Sequence, residues 1–391
     1  MKWARPPRPA IIRVRQPLGE ATNSVTNSLV VFFLQNLRIL YEKIRVIEDT
    51  RQQGGMMTGA LKLIVATFGL FLTSSVFAQD AKLVEAAKKD GGKVVLYGSL
   101  EPDTTESIIK AFEKKTGLKV EYWRASTTKV VDRALSEFRA KKAMVDVVLV
   151  HDAEMRLLFK ENVVSRYDSP MFKDFTKESV DPQLGPRYRD TIIGIVYNKS
   201  LIKPEEAPKS LEDIVKPQFR GKLVMPDPTQ HITTTSWVAS LPTVLGKEKA
   251  DKFIRDLAAT KPLFVEGLLP AAERVSTGEA AIGVSYIKFS YLFGVKGAPL
   301  DYVRSDRMLG EGSYIMLASK PVSPNAGKAF IDFFLGDESM KIMAQQGEFV
   351  TRKGIHPPIP GAEKIKFIEM THFDQSGFAE KRKEYQKVFM Q

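Results

Sequence analysis

The stretch "VVLYGSLEPDTTESIIKAFEKKTGLKVEYWRAS" (Val94–Ser126) decides the fold class. Its first residues form a continuous β-branched apolar run closed by Gly98 and Ser99, which reads as a strand buried on both faces. Asp103 and Glu106 then stand at capping-box spacing, Ile108, Ile109 and Phe112 share one helical face, and Gly117 ends the helix. "LKVEYWRA" resumes as a strand. The pattern repeats in "STTKVVDRALSEFRAKK", a helix with Val131, Ala134, Leu135 and Phe138 on one side, then in the strand "MVDVVLV" and the helix "DAEMRLLFKEN". Three strand–helix units with unbroken apolar strands predict a mostly parallel α/β sheet covered on both faces.

From Thr191 the texture starts again. "TIIGIVYNKSLI" predicts a strand, "SLEDIVKPQFRGKLVMPDP" a helix, turn and strand, and "TTTSWVASLPTVLG" and "EKADKFIRDLAAT" helices. "PLFVEG", "PAAERVSTGE" and "AAIGVSY" continue the alternation. The tail offers the strand "SYIMLAS", the glycine-ended helices "AGKAFIDFFLG" and "ESMKIMAQQG", and a polar helix to Gln391. No linker or repeat separates the halves. Two α/β lobes joined by extended strands, with a cleft between them, are the expected architecture.

Composition excludes several classes. The 391 residues are 43% hydrophobic and 27% charged, which suits a globular chain of two or three domains' worth of core. There is no cysteine, so disulfides, thiolate metal sites and cysteine nucleophiles are out. Of the net charge of +12, half lies before Gln79 and the rest is spread without a polybasic block, so no nucleic-acid partner is expected. "LKLIVATFGLFLTSSVFAQDAK" (Leu61–Lys82) has the basic start, short apolar core and small residues at Val76 and Ala78 of a secretory signal, and the apolar run is too short for a permanent span. The expected division is an over-extended, unstructured start over 1–55, a signal peptide over 56–78, lobe 1 over 79–187 and 300–391, and lobe 2 over 188–299. The mature chain would be periplasmic.

Motif order carries a family resemblance. Val94–Ser126, "VDVVLVHDAEMRLLFKENVVSRYDSP", "GIVYNKSLI", "PKSLEDIVKPQFRGKLVMPDP", "GEAAIGVSYIKFSYLFGVKGAPLDYV" and "PVSPNAGKAFIDFFLGDESMKIMAQQGEFVTRKGI" together resemble the periplasmic solute-binding proteins of ABC importers, in the extracellular solute-binding family that includes the ferric-iron binders. The resemblance implies a type II periplasmic-binding fold whose two lobes close by a hinge. It also implies a permease and an ATPase encoded elsewhere, and a monomer is compatible with such closure.

Ligands of α/β sheets sit beyond the carboxyl ends of strands, where helix N-termini present free N–H groups. Five polar junctions qualify, at Tyr97–Glu101, Arg124–Thr128, Val150–Asp152, Pro226–His231 and Val265–Gly267. The candidate substrate-binding residues are Ser99, Glu101, Ser126, Thr127, His151, Asp152, Asp227, Thr229, Gly267, Tyr286 and Lys288. Ser126, Thr127 and Asp152 each read first as helix caps, and it is the convergence of five junctions that points to a site. Iron-binding members use a His after the first strand, a Glu after the third and two adjacent tyrosines; here Glu101, His151 and Lys288-Phe289 stand in those places. A lysine in the cleft would repel Fe³⁺ and favour an anion, so the expected ligand is a small anionic solute of phosphonate, sugar-phosphate or carboxylate type. Ferric iron or an iron chelate, held by Glu101, His151, Tyr286 and Tyr291, is the alternative.

Catalytic signatures are thin. There is no Gly-x-Ser-x-Gly elbow, no His-Glu-x-x-His and no P-loop, and the four histidines have no spacing for one metal on a helix. No cofactor and no enzyme activity are expected, and an exported enzyme on the same lobed fold is the third possibility.

Overall fold

Two long antiparallel strands organise the molecule. In the computed structural model, which describes residues 81–373 and 375–390, they are β6 (Gly185–Asn198) and β11 (Arg307–Ala318). The expected N-terminal extension and signal peptide lie outside the described residues. Among the described residues no helix is long and apolar enough to cross a membrane.

A helix over 81–89 (α1) precedes β1 (Lys93–Gly98), α2 (Pro102–Thr116), β2 (Lys119–Arg124), α3 (Thr127–Arg139), β3 (Val147–His151) and α4 (Asp152–Lys160). The path through the first half of the sheet runs β2-β1-β3-β11-β6, with β1 parallel to both its neighbours and β11 antiparallel to β3 and β6. Alternation along the strands builds two cores. Leu96, Val147 and Leu149 face Ile108, Phe112, Phe330 and Phe334, while Tyr97, Val148 and Val150 face Val130, Ala134, Met155 and Leu158. Fully apolar runs form β1 and β3 because both faces are buried.

The second half continues the path through β9 (Ile282–Tyr286), β7 (Leu223–Pro226) and β8 (Leu263–Val265). β9 is antiparallel to β6 and parallel to β7. Here Ile193, Ile195 and Val284 pack on α5 (Ile232–Leu245) and α6 (Lys247–Ala259), and Ile192, Val196 and Val224 pack on α7 (Leu268–Thr277). Thus β6 gives its first part to one half and its last part to the other. The short helix α8 (Lys288–Gly294) follows β9 directly.

Several expectations change. β6 begins at Gly185, not near Thr191, and β11 begins at Arg307, so both crossing strands are longer than their apolar portions. "SLEDIVKPQF" forms two 3₁₀ turns, Glu212–Val215 and Pro217–Phe219, where Pro217 prevents a longer helix. Glu101, with Pro102 behind it, occupies the N-cap of α2, so Asp103 and Glu106 make no capping box. After α9 (Pro324–Phe334), α10 (Asp337–Gln345) and β12 (Phe349–Val350), an unforeseen strand β13 (Lys366–Glu369) pairs with β11. The last helix, α11 (Gln375–Phe389), was expected with the first lobe. It packs instead on α5 and α6, because Tyr385 and Phe389 bury their rings in the core of Trp237 and Phe253.

Gly310 is the tightest point of the crossing. A Cβ there would lie 2.5 Å from the Thr191 carbonyl oxygen, a backbone atom held in the ladder. We expect Gly310→Ala to lower stability by about 1–3 kcal/mol, as overpacking does. Chemical denaturation of both proteins checks it; an unchanged midpoint would show that the strands part easily.

Candidate functional site

Four charges from four segments meet beside the crossing strands. Lys288 Nζ donates to Glu101 Oε1 at 2.9 Å and to Glu348 Oε1 at 2.8 Å. One guanidinium nitrogen of Arg189, Nη1, lies 3.1 Å from Glu101 Oε2 and 2.9 Å from Glu348 Oε2. Each cation touches both carboxylates and each carboxylate both cations, so the cluster is a neutral alternating ring.

Local structure puts each member there. Glu101 sits between β1 and α2, fixed by Pro102 behind it. Arg189 lies in the middle of β6, opposite Ser313 of β11. Lys288 opens α8 after the ladder closes with Ile287 N–H to the Ile192 carbonyl at 3.1 Å. Glu348 follows Gly347, whose φ of +82° allows the tight turn out of α10 that brings this carboxylate against Lys288.

The four are unequal in one respect. The side chains of Glu348, Arg189 and Lys288 are 3%, 4% and 7% exposed, whereas that of Glu101 is 46% exposed. Burial alone would raise the Glu101 carboxyl, but the charges of Arg189 and Lys288 hold it well below the usual carboxylate range. Burial would lower Lys288, and Glu348 and Glu101 reverse that, so the ammonium stays protonated. Removing one partner from such a buried set strands another, at about 3–5 kcal/mol. Glu101 is the member that can leave most cheaply, because water can replace its contacts.

The remaining candidates divide. His151, at the end of β3, places Nδ1 3.1 Å from Ser313 Oγ; burial and the Arg189 charge push it down to about 4, so the ring is neutral. Tyr286 pairs with Ile193 at the end of β9, and burial raises its hydroxyl above the ordinary phenol value, which disfavours a phenolate. Tyr291 donates its hydroxyl to the Gln345 carbonyl at 3.3 Å. Asp152 is not a cap: His151 holds that position, and Asp152 binds Arg156 through two contacts of 2.9 Å. Asp227 accepts from the Thr229 amide at 2.7 Å and shapes the turn before α5, whose cap is the His231 ring. Thr229 is buried, with its hydroxyl 3.4 Å from the Gln230 amide. Ser126 sits at the N-cap of α3, exposed and without a capping bond; Thr127 follows it, half-buried. Gly267 takes the N-cap of α7 in extended backbone, and Ser99 donates its amide to Leu149. Among the described residues, none of Ser99, Ser126, Thr127, Asp152, Asp227, Thr229 and Gly267 hydrogen-bonds to the charged ring. Nor does any group of three His, Asp or Glu among them have metal-binding geometry.

Sequence reasoning missed Arg189, Glu348, Ser313 and Glu311. A signal existed for the first: "RYRDTIIG" places arginines inside a strand that continues as an apolar run, which demands buried partners.

Residues 142–376 match the family of bacterial extracellular solute-binding proteins, more than half of the chain. The chain belongs to this family. As a solute-binding protein of the ABC-importer type, it resembles the Fe(3+)-binding periplasmic protein of Serratia marcescens, 22% identical over 318 residues that make up 75% of this chain and 88% of that protein. Among solved structures, the periplasmic binding protein AfuA from Actinobacillus pleuropneumoniae with bound fructose-6-phosphate is 19% identical. The match covers 76% of this chain and 96% of AfuA, with a TM-score of 0.58. Iron-bound HitA from Pseudomonas aeruginosa is 18% identical, over 76% of this chain and 98% of HitA, with a TM-score of 0.59. The fold of this solute-binding protein is therefore the type II periplasmic-binding fold.

Buried acids on the crossing strands set a pH dependence. Burial pushes Glu311 up to about 7 and Asp190 up to about 6. An acid whose folded value is raised stabilises most below its unfolded value and loses that contribution as pH rises through the folded one. His151, lowered to about 4, has the opposite sign and loses its contribution as pH falls from 6.5 to 4. We expect Glu311→Gln to match wild type at pH 5 and exceed it at pH 8 by on the order of 1–3 kcal/mol. Thermal unfolding across pH checks this; a difference independent of pH contradicts it.

Proposed function

We propose that the protein is exported to the periplasm, captures a small anionic solute between its lobes, and hands it unchanged to a membrane permease driven by a separate ATPase. The observation that carries this is the unequal ring: two buried cations, one fixed carboxylate, and one half-exposed carboxylate that can yield its place. With Glu101 turned toward water, Arg189, Lys288 and Glu348 leave a net positive charge facing the cleft. A phosphonate, phosphate ester or carboxylate supplies the missing acceptor with charge-assisted hydrogen bonds. Binding then exchanges one carboxylate for another anion, and closure about β6 and β11 brings Lys288 from one lobe to the anion held by the other.

The same site suits a bare ferric ion poorly. A trivalent cation needs ionised oxygens, but both ring carboxylates are matched by Lys288 and Arg189. The Tyr286 hydroxyl is held above its ordinary value, and the Tyr291 hydroxyl is engaged by Gln345. The bound fructose-6-phosphate of AfuA supports an anionic ligand on this fold, and the iron of HitA supports the alternative. The local charges favour the first. Membership of a family of solute-binding proteins supports a binding role over an enzymatic one.

Thermal unfolding against a ligand panel tests the reading. Inorganic phosphate, phosphonates, sugar phosphates and dicarboxylates are compared with ferric iron, with and without citrate. A ligand at a hundred times its Kd stabilises by about 2.7 kcal/mol. We expect an anion to shift the midpoint without metal, and Glu101→Gln to bind that anion more tightly because a competitor is gone. A shift with ferric iron alone, or weaker anion binding by Glu101→Gln, contradicts the proposal.

A further inference from the structure

The charged ring occupies one end of the cleft floor. Directly opposed residues of antiparallel strands point to the same side, so the register sets Arg189 beside Ser313 and Thr191 beside Glu311 on one face. Ser313 meets His151 there and Arg189 reaches Glu101, so this is the face that carries the charged ring. Two residues of strand rise separate the pairs by about 7 Å.

Glu311 and Thr191 are buried in an unusual way. Glu311 is 8% exposed, and the groups acting on it come from several elements: Glu154 in the first turn of α4, Thr233 in the first turn of α5, Glu369 at the end of β13 and His372 just after it. Thr191 is 6% exposed and its Oγ1 has no hydrogen-bond partner. Leaving a buried hydroxyl unmatched costs about 1–3 kcal/mol. Two valines or a valine and a leucine would fill the same crossing without that cost. A buried acceptor beside an orphaned hydroxyl, on the floor of a ligand cleft, is organised for a hydrogen-bonding group brought in from outside.

We propose, resting on the anion reading above, that Glu311 and Thr191 form a second subsite. The solute then carries its anionic group at Arg189 and Lys288 and a hydroxyl or ammonium donor about 7 Å away, at Glu311. Burial raises Glu311, and a donor delivered by the solute offsets that cost, so the second group contributes affinity as well as selection. A hydrophobic or purely anionic tail brings no donor and gains nothing at this position.

Isothermal titration calorimetry of the whole protein at neutral pH tests this with three probes of one length: butylphosphonate, hydroxypropylphosphonate and aminopropylphosphonate. We expect at least one donor-bearing probe to bind ~10-fold or more tighter than butylphosphonate, an advantage of about 1.4 kcal/mol. In Glu311→Gln and in Thr191→Val that advantage should shrink while butylphosphonate affinity stays the same. Unfolding midpoints of both variants confirm that they are folded. If butylphosphonate binds as tightly as the others, or if both variants keep the wild-type ratio, the second subsite is wrong and the anion site stands. If none of the three binds, the anion reading fails and this inference with it.

Discussion

The alternating contact of Arg189 and Lys288 with Glu101 and Glu348 is the constraint on which the rest depends. Burying an arginine in the middle of a sheet strand is costly unless its charge is met. Meeting it draws Glu348 in from the turn after α10, Lys288 from the start of α8 and Glu101 from the end of β1. These contacts tie the loops of both halves to the two strands that cross between them. The electrostatics of the cluster follows from them: neutral when Glu101 is in place, positive when it is not.

Much of the fold was legible in sequence. β1, β2 and β3 and the helices after them are marked by unbroken apolar runs, helical spacing of Ile108 and Phe112, and a glycine stop at Gly117. The crossing strands were legible only in part, because Arg187, Arg189 and Asp190 in β6 and the glycines of β11 interrupt the apolar pattern. Arg187 and Asp190 pair with each other within the strand, but Glu101 and Glu348, the partners of Arg189, lie far along the chain, and a local window cannot show them. The last helix behaved likewise: α11 reads as a polar helix, and only Tyr385 and Phe389 in the core of Trp237 tie it to α5 and α6.

The site was legible through position more than through chemistry. Glu101, His151, Tyr286 and Lys288 were singled out because they follow strand ends, and the fold brings all four to or beside the ring. Among the described residues, the cap-like residues at the other junctions make no hydrogen bond to the ring. Asp152 and Asp227 spend their oxygens on Arg156 and on the turn before α5. Glu348 had no signature at all, since its role exists only once Gly347 turns the chain. Ferric binders share the fold, so ligand choice rests on the charges placed on it.

The most direct measurement is a crystal structure grown with a phosphonate or sugar phosphate. The predicted result is an anion oxygen within hydrogen-bonding distance of Lys288 Nζ and the Arg189 guanidinium, with Glu101 turned out to solvent and Glu348 unmoved. An anion bound elsewhere while Glu101 keeps both its cations would contradict it, as would a metal held by Tyr286 and His151.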